Sequence, residues 1–176
     1  MRDKTKAMPT DPDSAEVTAL RVWHCNYVLL APLVQYPNLS TLVVATYPDA
    51  DLEPIASLNR LEYLSLLHLP GVTDLAPLAQ LTHLRTIRLA TLPSWDSSGR
   101  ATEVDSLRPL ALLPKLTHLE LFGVRPSSKS LHDLEGAASL ASVRVSKYPK
   151  AEVKRFRDVT GATDAFAPPP GVADWN

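Results

Sequence analysis

The chain contains a single cysteine, Cys25, in 176 residues. An internal disulfide and a multi-cysteine zinc site are therefore both excluded, and a lone thiol fits a reducing compartment. Glycine is scarce, at six residues, and no Gly-rich phosphate loop, nucleophile elbow or HExxH sequence occurs. An excess of one charge is missing too: eighteen Lys and Arg against nineteen Asp and Glu leave a net charge of −1. That balance argues against the broad basic surface of counterion-releasing nucleic-acid binding. No run approaches the ~18 apolar residues of a membrane span, and the polar stretch from Met1 to Ser14 has no signal-like apolar region. The expectation is a soluble, cytoplasmic protein with no nucleic-acid partner and no membrane span, with export by a signal-independent route left open.

Proline is plentiful, at sixteen residues, and several prolines recur at one place in a repeat. An aliphatic-x-x-aliphatic-x-aliphatic pattern occurs at Val17-Leu20-Val22, Leu39-Leu42-Val44, Leu61-Leu64-Leu66, Leu84-Ile87-Leu89, Leu116-Leu119-Leu121 and Leu140-Val143-Val145. First positions are separated by 22, 22, 23, 32 and 24 residues. Ahead of the later copies come Leu30-Pro32-Leu33, Leu52-Pro54-Ile55, Leu75-Pro77-Leu78 and Leu107-Pro109-Leu110, while the last has Leu131 and Leu134 with Asp133 in place of proline. Asp51, Asp74, Ser106 and Ser130 stand just before those aliphatics, where a short polar side chain accepts from the amides of an opening helical turn.

Alternation over each copy makes a short strand, with Leu64 and Leu66 inward and Tyr63, Ser65 and Leu67 outward. The proline segment is a helical turn on the opposite side, whose aliphatics return to the same core. No unit buries its apolar side alone, so the units stack and the strands form one parallel sheet. Six strands ~4.8 Å apart give a concave face on the order of 24 Å long. The rival reading, a bundle of amphipathic helices, draws on stretches such as LEYLSLLHL. It does not require Pro-Asn, Asn-Arg, Thr-His and Pro-Lys to bound the strands at one offset. The fold class expected is α/β: a curved leucine-rich-repeat solenoid of about six concave parallel strands with short helical or 3-10 convex turns.

The segment Val72 to Leu89, VTDLAPLAQLTHLRTIRL, resembles the 22-residue unit of bacterial leucine-rich-repeat proteins of the internalin type. The resemblance covers roughly residues 17 to 148 and implies a solenoid that recognises proteins through its concave face. That family usually carries asparagine three residues after the third leucine, forming a hydrogen-bonded ladder. Cys25, Tyr47, Leu69, Leu92, Val124 and Tyr148 stand there instead, and cysteine alone is a known substitute, so the turns need other partners.

One domain is expected over residues 14–160, with a disordered tail at 1–13 and an irregular tail at 161–176. Within it, AEVKRFRDVT at 151–160 reads as a capping helix with Val153, Phe156 and Val159 on one face, ending at Gly161. No comparable N-terminal cap is visible. The long step holds an insertion near Pro93 to Glu103 whose composition reads as loop. Its Trp95 is either folded back on the convex side or held out for a partner.

The outward columns supply the candidate site. Trp23, Val43, Tyr63, Leu67 and Phe122 point from the concave sheet, beside Arg21 and Arg88, a composition suited to partner binding. The tail or the insertion folding over some of them is the plainer alternative. Arg88, Glu120 and Arg144 are strand neighbours in one column, expected as a solvated ion-pair row of little energetic weight. His24 and His68 share a column two strands apart, about 10 Å, too far for one ion. His118 and Glu120 form the lone acid-base candidate. The leading expectation is a non-catalytic module that binds another protein through its concave face, as a regulator, immunity-type inhibitor or effector, without cofactor or metal. The partner-binding candidates are Arg21, Trp23, Val43, Tyr63, Leu67, Arg88, Trp95, His118, Glu120 and Phe122. A monomer is favoured; the alternatives are a self-associating structural component and, behind it, a hydrolase using His118 and Glu120.

Overall fold

The repeat's alternation of apolar strand and proline turn carries directly into the architecture of the computed structural model, which describes residues 3–23, 25–92 and 98–172. Strands form at Ala19–Val22 (β1), Thr41–Ala45 (β2), Tyr63–Leu67 (β3) and Thr86–Ala90 (β4). Four more follow at Thr102–Val104 (β5), His118–Phe122 (β6), Val124–Pro126 (β7) and Ser142–Val145 (β8). Six of them make one parallel sheet in the order β1-β2-β3-β4-β6-β8. Arg21, Val43, Ser65, Arg88, Glu120 and Arg144 align strand to strand. The 32-residue step therefore causes no slip. A slip of one residue would turn the core leucines outward, so their burial fixes the register.

On the convex side lie 3-10 turns at Ala31–Gln35, Ala76–Gln80 and His132–Leu134 and helical turns at Glu53–Ala56 (α1) and Arg108–Ala111 (α2). The first four turns along the chain carry proline near their start, where a missing amide costs nothing. Asp51 and Asp74 carboxylates accept from the amides of Glu53 and Ala76, and Ser106 and Ser130 hydroxyls accept from Arg108 and His132. The exception at Asp133 has its own reason. Its Oδ2 accepts from the Leu107 amide (3.0 Å) and the Ser106 hydroxyl (2.7 Å) of the preceding turn. Asp49 and Glu152 serve the Leu30 and Leu131 amides in the same way.

Both layers face one core. Leu42, Leu64, Ile87 and Leu119 from the sheet meet Leu33, Ile55, Leu78 and Leu110 from the turns, all fully buried. Each such side chain contributes roughly 1.5–3 kcal/mol relative to exposure. Where the asparagine ladder is lost, main-chain bonds and tyrosines replace it. Tyr47 and Thr91 amides donate to the His68 and Phe122 carbonyls. Tyr47 and Tyr148 hydroxyls donate to the Asp51 and Val124 carbonyls. The residue beginning this turn is left-handed at Thr46, His68, Gly123 and Lys147. At Gly123 it is the space that requires glycine, since a β-carbon would collide with Thr91 Oγ1.

Three expectations for the ends and the insertion need correction. Residues 3–13 are laid against the first repeat, because Met8 enters the core at 6 % exposure and the amides of Asn26 and Val28 donate to the Asp3 and Lys6 carbonyls. The C-terminal helix runs Lys150–Thr160 (α3), with Phe156 buried and Val153 packed on the core, but Val159 is 60 % exposed. Val159 lies past the last core layer, and buried Ala162 covers that edge instead. The end of the insertion is a strand, not a loop: β5 pairs in parallel with β7, and Arg125 bridges to Glu103 at 3.1 Å. Trp95 lies outside the described residues.

Candidate functional site

Curvature brings the outward columns of the sheet together. Arg21, Trp23, Val43, Tyr63, Leu67, Arg88 and Phe122 line one concave pocket of about 360 Å³ with Ser65, Leu66, Ala90 and Pro170. The pocket thus unites seven of the ten candidates across β1 to β6. The Arg21 guanidinium lies 5.9 Å over the Trp23 ring, within cation–π range.

Tyr63 was expected in solvent and is 7 % exposed. Its neighbours in the same column, Thr41, Thr86 and Ser142, are buried as well. Side chains one strand spacing apart on an inward-curving sheet crowd one another, and the Tyr63 ring has nowhere to open. Its hydroxyl accepts from Arg88 Nη1 at 3.4 Å.

The larger correction concerns Glu120. Expected in a solvated ion-pair row, its side chain is 1 % exposed. Arg88 Nε donates to Oε2 at 2.7 Å and the Ala167 amide donates to Oε1 at 3.0 Å. Arg144 Nη1 stands 3.8 Å from Oε1 as an ion pair rather than a hydrogen bond. Burial works against the Arg88 charge, but the bonds to Tyr63 and Glu120 outweigh it and hold the guanidinium above its ordinary pKa. His118, on the same strand, shares a 2.7 Å hydrogen bond between Nδ1 and Ser142 Oγ. Both Glu120 oxygens are thus engaged, which leaves the proposed acid-base pair without an open carboxylate. Among the described residues no group of three His, Cys, Asp or Glu could hold a metal ion, and His24 is not among those residues.

What buries Glu120 is the segment expected to be an irregular tail. Gly161, left-handed at φ 72°, ends α3. Thr163 then pairs with the outer side of β8: its amide donates to the Ala141 carbonyl, and the Val143 amide donates to its own. Asp164 Oδ1 sits 3.0 Å from Arg157 Nη2 and 3.4 Å from Arg144 Nε. The Arg144 guanidinium contacts two rings, 3.4 Å from the centroid of Phe166 and 5.6 Å from that of Phe122. Ala167 reaches Glu120 on β6, and Pro170 enters the pocket lining. Sequence reasoning missed these residues because aperiodic segments carry no pattern. The available signal was an aromatic, Phe166, just ahead of Pro168-Pro169-Pro170, since consecutive prolines hold an extended backbone.

These features define a leucine-rich-repeat protein of the short, proline-turn class, with a concave parallel sheet. Among solved structures, internalin C2 from Listeria monocytogenes is similar over 75 % of this chain, at 25 % identity and a TM-score of 0.57. An internalin (InlF) from the same organism is similar over 81 %, at 19 % identity and a TM-score of 0.53. The chain covers 53 % and 45 % of those proteins' lengths. No protein-family model and no curated protein matches it. The internalin-like leucine-rich-repeat solenoid expected from the repeat is the fold observed. No helix among the described residues is long and apolar enough to cross a membrane.

Proposed function

We propose that this protein is a non-catalytic interaction module that binds a partner protein through its concave face. The observation that carries the reading is the pocket in which Trp23, Val43, Leu67 and Phe122 meet Arg21 and Arg88. Aromatic and arginine side chains gathered in a concave, partly desolvated setting are the anchors that dominate binding energy. The fold supports the same reading by analogy. The lone Cys25 supports a reducing, cytoplasmic setting.

The test is capture of a partner by immobilised protein, identification of the captured protein, and titration of its purified form. Trp23→Ala with Phe122→Ala, checked for a native circular dichroism spectrum, is expected to weaken that titration at least about tenfold, in the range of two aromatic anchors. Equal affinity for the folded variant would overturn the concave-face reading.

A further inference from the structure

We infer that the concave face is a groove for an extended polypeptide of another protein in which an aromatic residue precedes prolines, and that residues 163–172 occupy it in cis. The inference rests on the concave face being the partner-binding surface, and adds the partner's chemistry and its competitor.

The course of the segment is that of a ligand laid across the strands. From Thr163 beside β8 it passes Ala167 over β6 and reaches Pro170 in the pocket. What the sheet recognises there is generic to an extended chain: a main-chain N–H on Glu120, a ring on Arg144 and a proline at the aromatic pocket. Glu120 makes the first contact matter. A buried carboxylate needs donors on both oxygens, and among the described residues those that hydrogen-bond to it are Arg88 and the Ala167 amide. A second chain offering an N–H at that point fulfils the same requirement.

Thr163 and Asp164 are anchored by main-chain bonds and ion pairs, but the hold on the residues past Asp164 is slight. Phe166 stacks on Arg144 by one face and is 74 % exposed. Past Thr163, the hydrogen bond from the Ala167 amide ties the described segment to the sheet through a side chain rather than through main-chain pairing. Three prolines keep the segment extended and limit the entropy lost on docking. These are the properties of an occupant that a better-fitting segment displaces.

The test uses a synthetic peptide of residues 164–172, titrated by calorimetry into three proteins: the whole chain, a chain ending at Asp164, and the whole chain with Phe166→Ser and Ala167→Pro. The last keeps every residue position but removes the ring and the N–H, so it decides the matter if the shortened chain does not fold. A tethered segment acts at about millimolar effective concentration. A peptide that binds the shortened chain with a Kd near 100 μM should therefore bind the whole chain about 10-fold more weakly. The double variant should behave like the shortened chain, and Glu120→Gln in the shortened chain should weaken binding. The inference is overturned if the folded variants fail to bind the peptide, or if the whole chain binds it equally well. It is also overturned if the whole chain forms a dimer by light scattering that shortening abolishes, which would make a second copy the occupant. If the peptide fails while partner capture still depends on Trp23 and Phe122, only this inference falls. If the peptide binds while capture ignores those residues, the interaction reading falls and takes with it the partner part of this inference, leaving only the occupancy of the face by residues 163–172.

Discussion

The two aperiodic ends of the chain both lie on the solenoid, but they are held by different means. At the N-terminal end Met8 is buried in the core, and main-chain bonds tie Asp3 and Lys6 to Asn26 and Val28. At the C-terminal end, beyond Thr163, the contacts among the described residues include a stacked ring, an ion-paired Asp164, one amide on a side chain and Pro170 at the pocket. The first segment shields apolar core that the first repeat would otherwise expose, so it belongs to the fold. The second covers polar and aromatic groups of the concave face, which water or another chain can also cover. A terminal segment that completes a core and one that overlies the concave face are thus told apart by what they bury.

The contrast breaks most easily at Met8. Met8→Ala removes a buried thioether from the edge of the core and should cost about 3 kcal/mol. In a chain of this size that lowers Tm by roughly 6–12 °C, measured by circular dichroism. An unchanged Tm would place both ends in the same loosely held class. Next in size is Glu120→Ala, which leaves Arg88 and Arg144 side by side without their carboxylate. Because the Arg88 side chain is 42 % exposed, solvent moderates the loss to about 2 kcal/mol. The same variant should also release residues 165–172, seen as faster amide exchange there than in Glu120→Gln. Equal exchange in the two would mean that Glu120 does not hold the segment.

The difference between the ends also marks what a sequence can disclose. The strands, their columns and the proline turns were legible because burial repeats every 22 to 24 residues, with one step of 32, and Leu64 and Leu119 mean the same thing in different copies. Asp133 was legible only as a departure; its bonds to Ser106 and Leu107 belong to the contact between two copies. The pocket was half legible: alternation places Trp23, Val43 and Phe122 outward, but not the crowding that buries Tyr63. Glu120 was misread because its environment comes from Ala167, 47 positions on, in a segment with no period. Met8 was missed for the same reason: one apolar residue in a polar stretch has no pattern to declare it.

Acid sharpens the comparison from another side. Glu152 anchors α3 to the last turn: it pairs with Arg155 and accepts from the Leu131 amide and the Ser130 hydroxyl. The Arg155 bonds lead in pulling its pKa from 4.5 to about 2. A carboxyl that ionises more readily when folded stabilises the fold above its unfolded pKa and loses that contribution as pH falls through the folded one. The Leu131 amide, corrected for intrinsic rate, should therefore exchange faster as pH drops from about 4.5 to 2. Glu152→Gln should flatten that dependence. Asp3 is likewise held below its ordinary pKa, chiefly by the Thr5 amide, but buried Met8 keeps its segment in place. Amides of Asn26 and Val28 should respond less than that of Leu131; an equal response would mean the N-terminal cover also depends on its carboxylate.

The smallest expected effect is the most discriminating. Phe166→Ala removes a ring that is largely in solvent, so little apolar burial is lost, and an exposed cation–π contact is worth about 0.5–1 kcal/mol. Tm should move by less than about 4 °C, well short of the Met8→Ala shift. Locally the same energy is a factor of about 2–5 in the docked population, and it falls on a segment with few other contacts. Exchange at Ala167 should therefore rise by that factor while exchange at Leu64 and Leu119 stays constant, because Arg144 keeps its contact with Phe122 and the sheet is untouched. A drop in Tm as large as that from Met8→Ala would mean the C-terminal segment is as integral to the fold as the N-terminal one, and the concave face would not be separable from its cover.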